Sequence, residues 1–140
     1  MSGQGSSRFW WIALALLGAS GVALGAFSAH GLEAHLLGRG MAEELVPKRV
    51  GQFDTGTRYH LIHAVALLAL LSFQPTPRVP AFLLLLGTFF FSGSLYLLVL
   101  TDTPWLGAIT PIGGLSWILA WLSLPFCIRS GTATPGEDAR

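Results

Sequence analysis

The chain has 140 residues, of which 52% are hydrophobic and 11% are charged, and its mean hydropathy is +0.62. Soluble domains carry roughly 25% charged residues, so this composition indicates a single-domain membrane protein. The net charge of +1 excludes the strongly basic surface of a nucleic-acid-binding protein, and the single cysteine excludes an internal disulfide and a cysteine-based zinc site.

Four apolar segments predict an all-α fold, an integral membrane four-helix bundle with one long polar loop between the first and second spans. These segments cover residues 9–27, 57–73, 79–100 and 109–128. We expect them to form one transmembrane domain, 9–128, between a disordered N-terminal tip at 1–8 and a disordered C-terminal tail at 129–140.

The first segment, 9–27, carries no charge and as a helix would be about 28 Å long, close to the bilayer core of about 30 Å. Trp10 and Trp11 follow Arg8, which is typical of an anchor at the membrane interface. A secretory signal peptide cleaved before Ala29 is an alternative. Because 19 apolar residues exceed the roughly 7–15 of a signal peptide, an uncleaved span is preferred.

Two glycines in this segment, Gly21 and Gly25, form a Gly-x-x-x-Gly pattern. Small residues at this spacing let two membrane helices approach closely. Packing within one bundle is the favoured interpretation, and a homodimer seam is the alternative.

Residues 28–56 are polar and carry balanced charges, so they predict the long loop. Within this segment Leu32, Leu36 and Leu37 recur at helical spacing, which indicates a short amphipathic helix at the interface.

The second span differs from the others because ionisable residues enter its first turns. These are Arg58, His60 and His63. Ionisable groups at membrane depth are costly unless they face protein or water, so they mark a polar site inside the bundle.

A polar cluster of unknown role is predicted where the first span ends and the second begins: His30, Glu33, Arg58 and His63. Glu33 is expected to pair with Arg58. We expect His63 to face the interior and His60 to be wetter. The expected partners of His63 are His30, the carbonyls around Gly31, Ser92 or Tyr96.

Histidine can bind zinc, copper or iron, so the sequence also contains weak candidates for metal ligands. These are His30, His35, His60 and His63. Their spacing matches no specific ligand set. Helix capping and interhelical hydrogen bonds are therefore the preferred roles, and no metal or cofactor is predicted.

The second and third spans are joined by a tight turn, Gln74–Pro77, so we expect them to be antiparallel neighbours. Arg8, Arg78 and Arg129 then lie at one membrane face, which favours cytoplasmic termini. The basic residues of the first loop weaken this orientation. In the third and fourth spans, close-packing roles are predicted for Gly93, Gly113 and Gly114.

Four motifs resemble a known family: GAFSAHGL at 25–32, FDTGTRYHLIHAVALL at 53–68, FSGSLYLLVLT at 91–101 and ITPIGG at 109–114. In their order they are similar to small bacterial inner-membrane proteins of domain-of-unknown-function family 423, related to the transmembrane-protein-256-like proteins. The resemblance implies a multi-pass protein of the cell membrane and no known activity. Besides His30 and His63, the motif positions of unknown role are Ser92, Gly93, Tyr96, Thr110, Pro111 and Gly113.

The chain departs from the family pattern at Ser28, where glycine is usual, and at His60, where glutamine is usual. The second departure counts against His60 as a required metal ligand.

The leading functional hypothesis is a non-enzymatic membrane protein with a packing, assembly or partner-binding role. Its expected surroundings are the lipid bilayer and either a second copy or another membrane protein. A small-solute transporter or channel is the first alternative, and a histidine-cluster metal-binding protein is the second.

Overall fold

The computed structural model describes residues 3–73 and 75–127, and within these ranges the chain is helical, with no strand. The helices are α1 (Gly3–His30), α2 (Leu32–Gly38), α3 (Val46–Leu71), α4 (Arg78–Thr101), a 3-10 helix (Pro104–Ala108) and α5 (Thr110–Cys127). The expected all-α fold is confirmed.

Three helical segments are long and apolar enough to cross a membrane: Arg8–His30, Arg78–Thr101 and Pro104–Cys127. The two later segments overlap the third and fourth spans expected from the sequence. α3 does not reach the same hydropathy, because its first half carries charged residues, among them Lys48, Asp54 and Arg58.

The N-terminal boundary differs from the expected one, since α1 already begins at Gly3, within the segment 1–8 that was expected to be disordered. Extending an existing helix by one residue costs far less than nucleating a new one, so the helix can run past the apolar segment. The expected C-terminal tail, 129–140, lies outside the described residues.

The expected long loop, 28–56, is mostly helical. Within it, Gly31 alone separates α1 from α2, and residues 39–45 connect α2 to α3. α2 forms because Leu32 and Leu36 share one helix face, which is fully buried in a cluster with Phe53 and Tyr96. Burial of this face holds the segment against the bundle. The short amphipathic helix expected around Leu32, Leu36 and Leu37 is therefore present as α2, and 28–56 is not one long loop.

The long helices pack in a row: α1 along α3, α3 along α4, and α4 along α5. Among the described helices, α1 and α5 stand at the two ends of the row and do not pack along each other. The short connection between α3 and α4 makes them antiparallel neighbours, as expected.

Along the helix axes, the two ends of the bundle differ from each other. At the turn end, where residues 72–77 join α3 to α4, Trp10, Leu71 and Ala81 share a buried cluster with Trp117. At the opposite end, which we call the polar end, α2 and the start of α3 pack on the last turns of α4.

Glycine lies at each of the three helix contacts. A Cβ atom on Gly21 would lie 2.7 Å from Leu61 Cδ2 of α3, and one on Gly56 would lie 3.1 Å from Tyr96 Cε1 of α4. On Gly113 a Cβ atom would lie 2.3 Å from the backbone nitrogen of Phe91. The contact at Gly113 therefore depends on the absence of a side chain, because the added atom would overlap backbone, whereas at Gly21 and Gly56 only the side chains of Leu61 and Tyr96 would have to move. The Gly21 face of α1 is already occupied by α3 of the same chain.

Candidate functional site

Of the four residues of the predicted polar cluster, His30 and Glu33 line one pocket at the polar end together with Asp54, and His63 lies apart from them. His30, Glu33 and Arg58 are exposed, whereas His63 is only 5% exposed. The guanidinium Nη2 of Arg58 lies 2.8 Å from Asp54 Oδ2, one helical turn earlier on α3. The expected pair with Glu33 was wrong, because helix geometry places a carboxylate of α3 itself next to Arg58.

His63 faces the interior, as expected, but its partners are different. Its Nδ1–H donates to the backbone carbonyl of Tyr59 at 2.8 Å, since a carbonyl can only accept. Its ring stacks on the indole of Trp117 in α5, with centroids 3.7 Å apart and planes 4° apart. His63 is therefore turned toward α5.

His60 is as buried as His63, at 5% exposed, so the expectation that it would be wetter was wrong. α1 covers it: a Cβ atom on Gly21 would lie 3.4 Å from His60 Cδ2. The His60 Nδ1 atom is 3.1 Å from the hydroxyl oxygen of Tyr96. This hydrogen bond joins α3 to α4, and Tyr96 was expected to bind His63 instead.

Two serines of the third span also join helices. Ser92 is 1% exposed, and its hydroxyl donates to the carbonyl of Gly56 at 2.7 Å. Ser94 Oγ lies 2.8 Å from Thr110 Oγ1 at the start of α5. In each case a polar group in an apolar helix is paired, as burial requires.

The remaining motif positions have different surroundings. Pro111 is exposed in the first turn of α5, where a missing N–H is tolerated. Gly113 is buried against the α4 backbone. A Cβ atom added to Gly93 would have no neighbouring atom within 4 Å, and one added to Gly114 would make only ordinary contacts. Of the three glycines assigned a close-packing role, only Gly113 has one.

Three features escaped the sequence analysis. Trp117 fills the space above Gly87 of α4 and donates its indole N–H to the carbonyl of Leu84 at 3.2 Å. Arg49 pairs with Asp102 at the polar end. Arg39 Nη1 donates to the carbonyl of Leu100 at 2.6 Å. Each joins residues distant in sequence, so no local pattern could have identified it.

Metal ligation has little geometric support in the described part of the chain. There, no group of three or more His, Cys, Asp or Glu side chains lies close enough together to hold one ion. His30 and His35 are exposed at the polar end, whereas His60 and His63 are buried on different sides of α3.

A groove of about 200 Å³ lies on the surface formed by α3, α4 and α5 at the turn end. Every residue that lines it is apolar; Ala69, Phe73, Pro80, Trp121 and Leu124 are among them. We call it the apolar groove. It contains none of the motif positions of unknown role, although Ala66 lies within the motif at 53–68.

Residues 24–114 match the family model described as "Protein of unknown function (DUF423)". The chain is 40% identical over 107 residues to a UPF0382 membrane protein of Staphylococcus saprophyticus, covering 74% of this chain and 82% of that protein. The UPF0382 membrane protein YwdK of Bacillus subtilis is 37% identical, with 74% and 81% covered. The UPF0382 inner membrane protein YgdD of Escherichia coli is 36% identical over 121 residues, with 83% and 86% covered. No solved structure matches the chain.

The match spans most of the helical region, from the second half of α1 to the first turn of α5. These relatives are named as membrane proteins, in agreement with the apolar helices of this chain. The chain therefore belongs to the DUF423 family of membrane proteins of unknown function.

Proposed function

We propose that this protein crosses the cell membrane four times and has a non-enzymatic role, in which it packs with a second copy or with another membrane protein. One observation carries this proposal: apart from the Nε2 atom of His60, which has no hydrogen-bond partner in the described chain, the buried polar side chains inside the row pair with one another or with helix carbonyls. His60 pairs with Tyr96, Ser92 with Gly56, and Ser94 with Thr110. Polar groups used in this way hold helices together and do not converge on a reaction centre.

α3 is the proposed second span. It lies between α1 and α4, and both of these are apolar enough to cross a membrane. Thr57, His60 and His63 of this span are buried against neighbouring helices, whereas Arg58 is exposed in its first turn and pairs with Asp54. A membrane helix of modest hydropathy is acceptable when its polar atoms face protein instead of lipid.

The open ends of the row supply the surfaces for assembly. α1 packs on α3 along one side only, and its other faces expose Ile12, Leu16 and Val22. At the other end α5 exposes Ile118 and Leu122. Helices of a second membrane protein can extend the row at either end by the same close packing.

A transporter or channel is less well supported, because the apolar groove offers no polar group to a solute and the pocket that contains His30, Glu33 and Asp54 lies at the polar end, outside the row of apolar helices. A histidine metal site is also less well supported, because no group of three or more His, Cys, Asp or Glu side chains in the described chain could hold one ion. The inner-membrane location is proposed from the name of the Escherichia coli relative. Both termini are proposed to be cytoplasmic, from Arg8 and Arg78 at the turn end.

Photo-crosslinking in the membrane tests the packing role. A photoreactive residue at Leu16 of α1 or Leu122 of α5 is expected to give discrete protein adducts, which mass spectrometry can identify as a second copy or a partner. The matched control is Phe89, which is exposed on α4 inside the row. If all three positions gave lipid adducts and no protein adducts, the packing role would be contradicted. In a separate measurement, a stoichiometric metal in the purified protein would favour the metal-binding alternative.

A further inference from the structure

The apolar groove lies at the turn end, which the proposed topology places close to the membrane surface. Its lining on α3 runs from Ala66 to Phe73, which corresponds to about 10 Å along a helix axis. Phe73 and Pro80 flank the turn between α3 and α4, so the groove begins at the helix ends and continues toward the bilayer interior. Ala69, Phe73 and Trp121 are exposed, which leaves the groove accessible from lipid.

The charge at this end of the described structure is of one sign. Arg8 and Arg78 are exposed there, at the starts of α1 and α4. The acidic residues of the described chain all lie at the polar end: Glu33, Glu43, Glu44, Asp54 and Asp102. A negatively charged group at the turn end would therefore meet two arginines and no described carboxylate.

The apolar lining and the neighbouring charge indicate what the groove can hold. An acyl chain in the groove would meet only apolar side chains. Arg78, exposed beside the groove, offers a cation to an anionic headgroup. A phospholipid supplies both an apolar chain and an anionic group, so it suits the groove better than an apolar helix of a partner protein.

We propose that the apolar groove binds one acyl chain of an anionic phospholipid, whose headgroup is held by Arg78 and Arg8. Arg78 is two residues before Pro80, about 3 Å along the axis of α4, so its flexible side chain can reach a phosphate above the groove. Arg8 is two residues before Trp10, which is buried in the core cluster at the same end. Juxtamembrane arginines attract anionic lipids. This site does not depend on whether a protein partner binds.

Native mass spectrometry of the detergent-purified protein tests the proposal with phosphatidylglycerol and phosphatidylcholine of identical acyl chains. The protein should retain phosphatidylglycerol in preference. Arg78→Gln is expected to lower this preference about five-fold, whereas Lys48→Gln at the polar end should leave it unchanged. Equal retention of the two lipids by the unchanged protein would overturn the proposal.

A second pair of variants tests the chain site separately from the charge. Ala69→Leu fills the groove and should reduce retention of both lipids. Ala19→Leu is the control, because Ala19 is exposed on α1 away from the groove. Retention by Ala69→Leu equal to that of Ala19→Leu would contradict the acyl-chain site.

A third measurement follows the fluorescence of a tryptophan in the groove. Phosphatidylglycerol brominated on its acyl chains should quench the fluorescence of Trp121, which lines the groove. The quenching of Trp121 is the difference in quenching between the unchanged protein and Trp121→Phe. This difference should be larger with brominated phosphatidylglycerol than with brominated phosphatidylcholine. An equal Trp121 contribution from both lipids would show a groove without headgroup preference and would refute the proposal.

Discussion

The imidazole of His63 lies parallel to the indole of Trp117, with ring centroids 3.7 Å apart and planes 4° apart. Trp117 also fills the space above Gly87, where a Cβ atom would lie 2.3 Å from the indole Cδ1 atom. One aromatic side chain of α5 thus contacts both α3 and α4. His63 and Gly87 are the two positions that make room for it.

The glycines of α4 and α5 give a direct test of close packing. Gly87→Ala and Gly113→Ala are each expected to lower the free energy of unfolding by about 1–3 kcal/mol, because the added methyl group would overlap Trp117 or the α4 backbone. Thermal unfolding in detergent measures the change.

Gly93→Ala and Gly114→Ala are the matched controls, since a Cβ atom at either position has room. These variants should be neutral or more stable by up to about 1 kcal/mol, because alanine favours a helix over glycine. Equal destabilisation at all four positions would refute the assignment of the contact to Gly87 and Gly113.

The hydrogen bond between His60 and Tyr96 predicts energetic coupling. In a double-mutant cycle with His60→Leu and Tyr96→Phe, the interaction energy should be about 0.5–1.5 kcal/mol. Repeating the cycle with His63→Leu and Tyr96→Phe should give a smaller value, because His63 bonds to Tyr59 and stacks on Trp117. Stronger coupling of Tyr96 to His63 than to His60 would contradict the geometry.

The two ion pairs of the described chain should differ in their effect on stability. Arg49 is 9% exposed in its side chain, so Asp102→Ala leaves a largely buried charge unpaired and should cost about 1–3 kcal/mol. Asp54→Ala breaks a pair whose members are 52% and 70% exposed, and it should change stability by less than about 0.5 kcal/mol. Chemical or thermal unfolding of both variants checks the order, and the reverse order would be inconsistent with the burial of Arg49.

The sequence predicted the helical elements better than the site. Long uncharged runs identify α1, α4 and α5, because bilayer thickness fixes the length of an apolar helix. Within the polar segment 28–56, the spacing of Leu32 and Leu36 predicted a short helix at the interface but not its burial, because that burial depends on tertiary contacts with Phe53 and Tyr96.

The sequence correctly predicted that the His63 side chain faces the interior of the bundle, since a polar group in a membrane span avoids lipid. Its partner was not predictable, because the rotation of α3 relative to α5 decides whether His63 meets Trp117 or Tyr96. In the same way, Gly113 and Gly93 are indistinguishable in sequence, and only the approach of α4 to α5 separates them.

Four membrane crossings, with α3 as the second, are the central claim, and topology reporters test it most directly. Reporters of cytoplasmic and periplasmic location fused at Gln4, Glu43 and Gly136 should place Gln4 and Gly136 in the cytoplasm and Glu43, between α2 and α3, in the periplasm. Gln4 and Gly136 on opposite sides of the membrane would show an odd number of crossings and would contradict the assignment of α3 as a span.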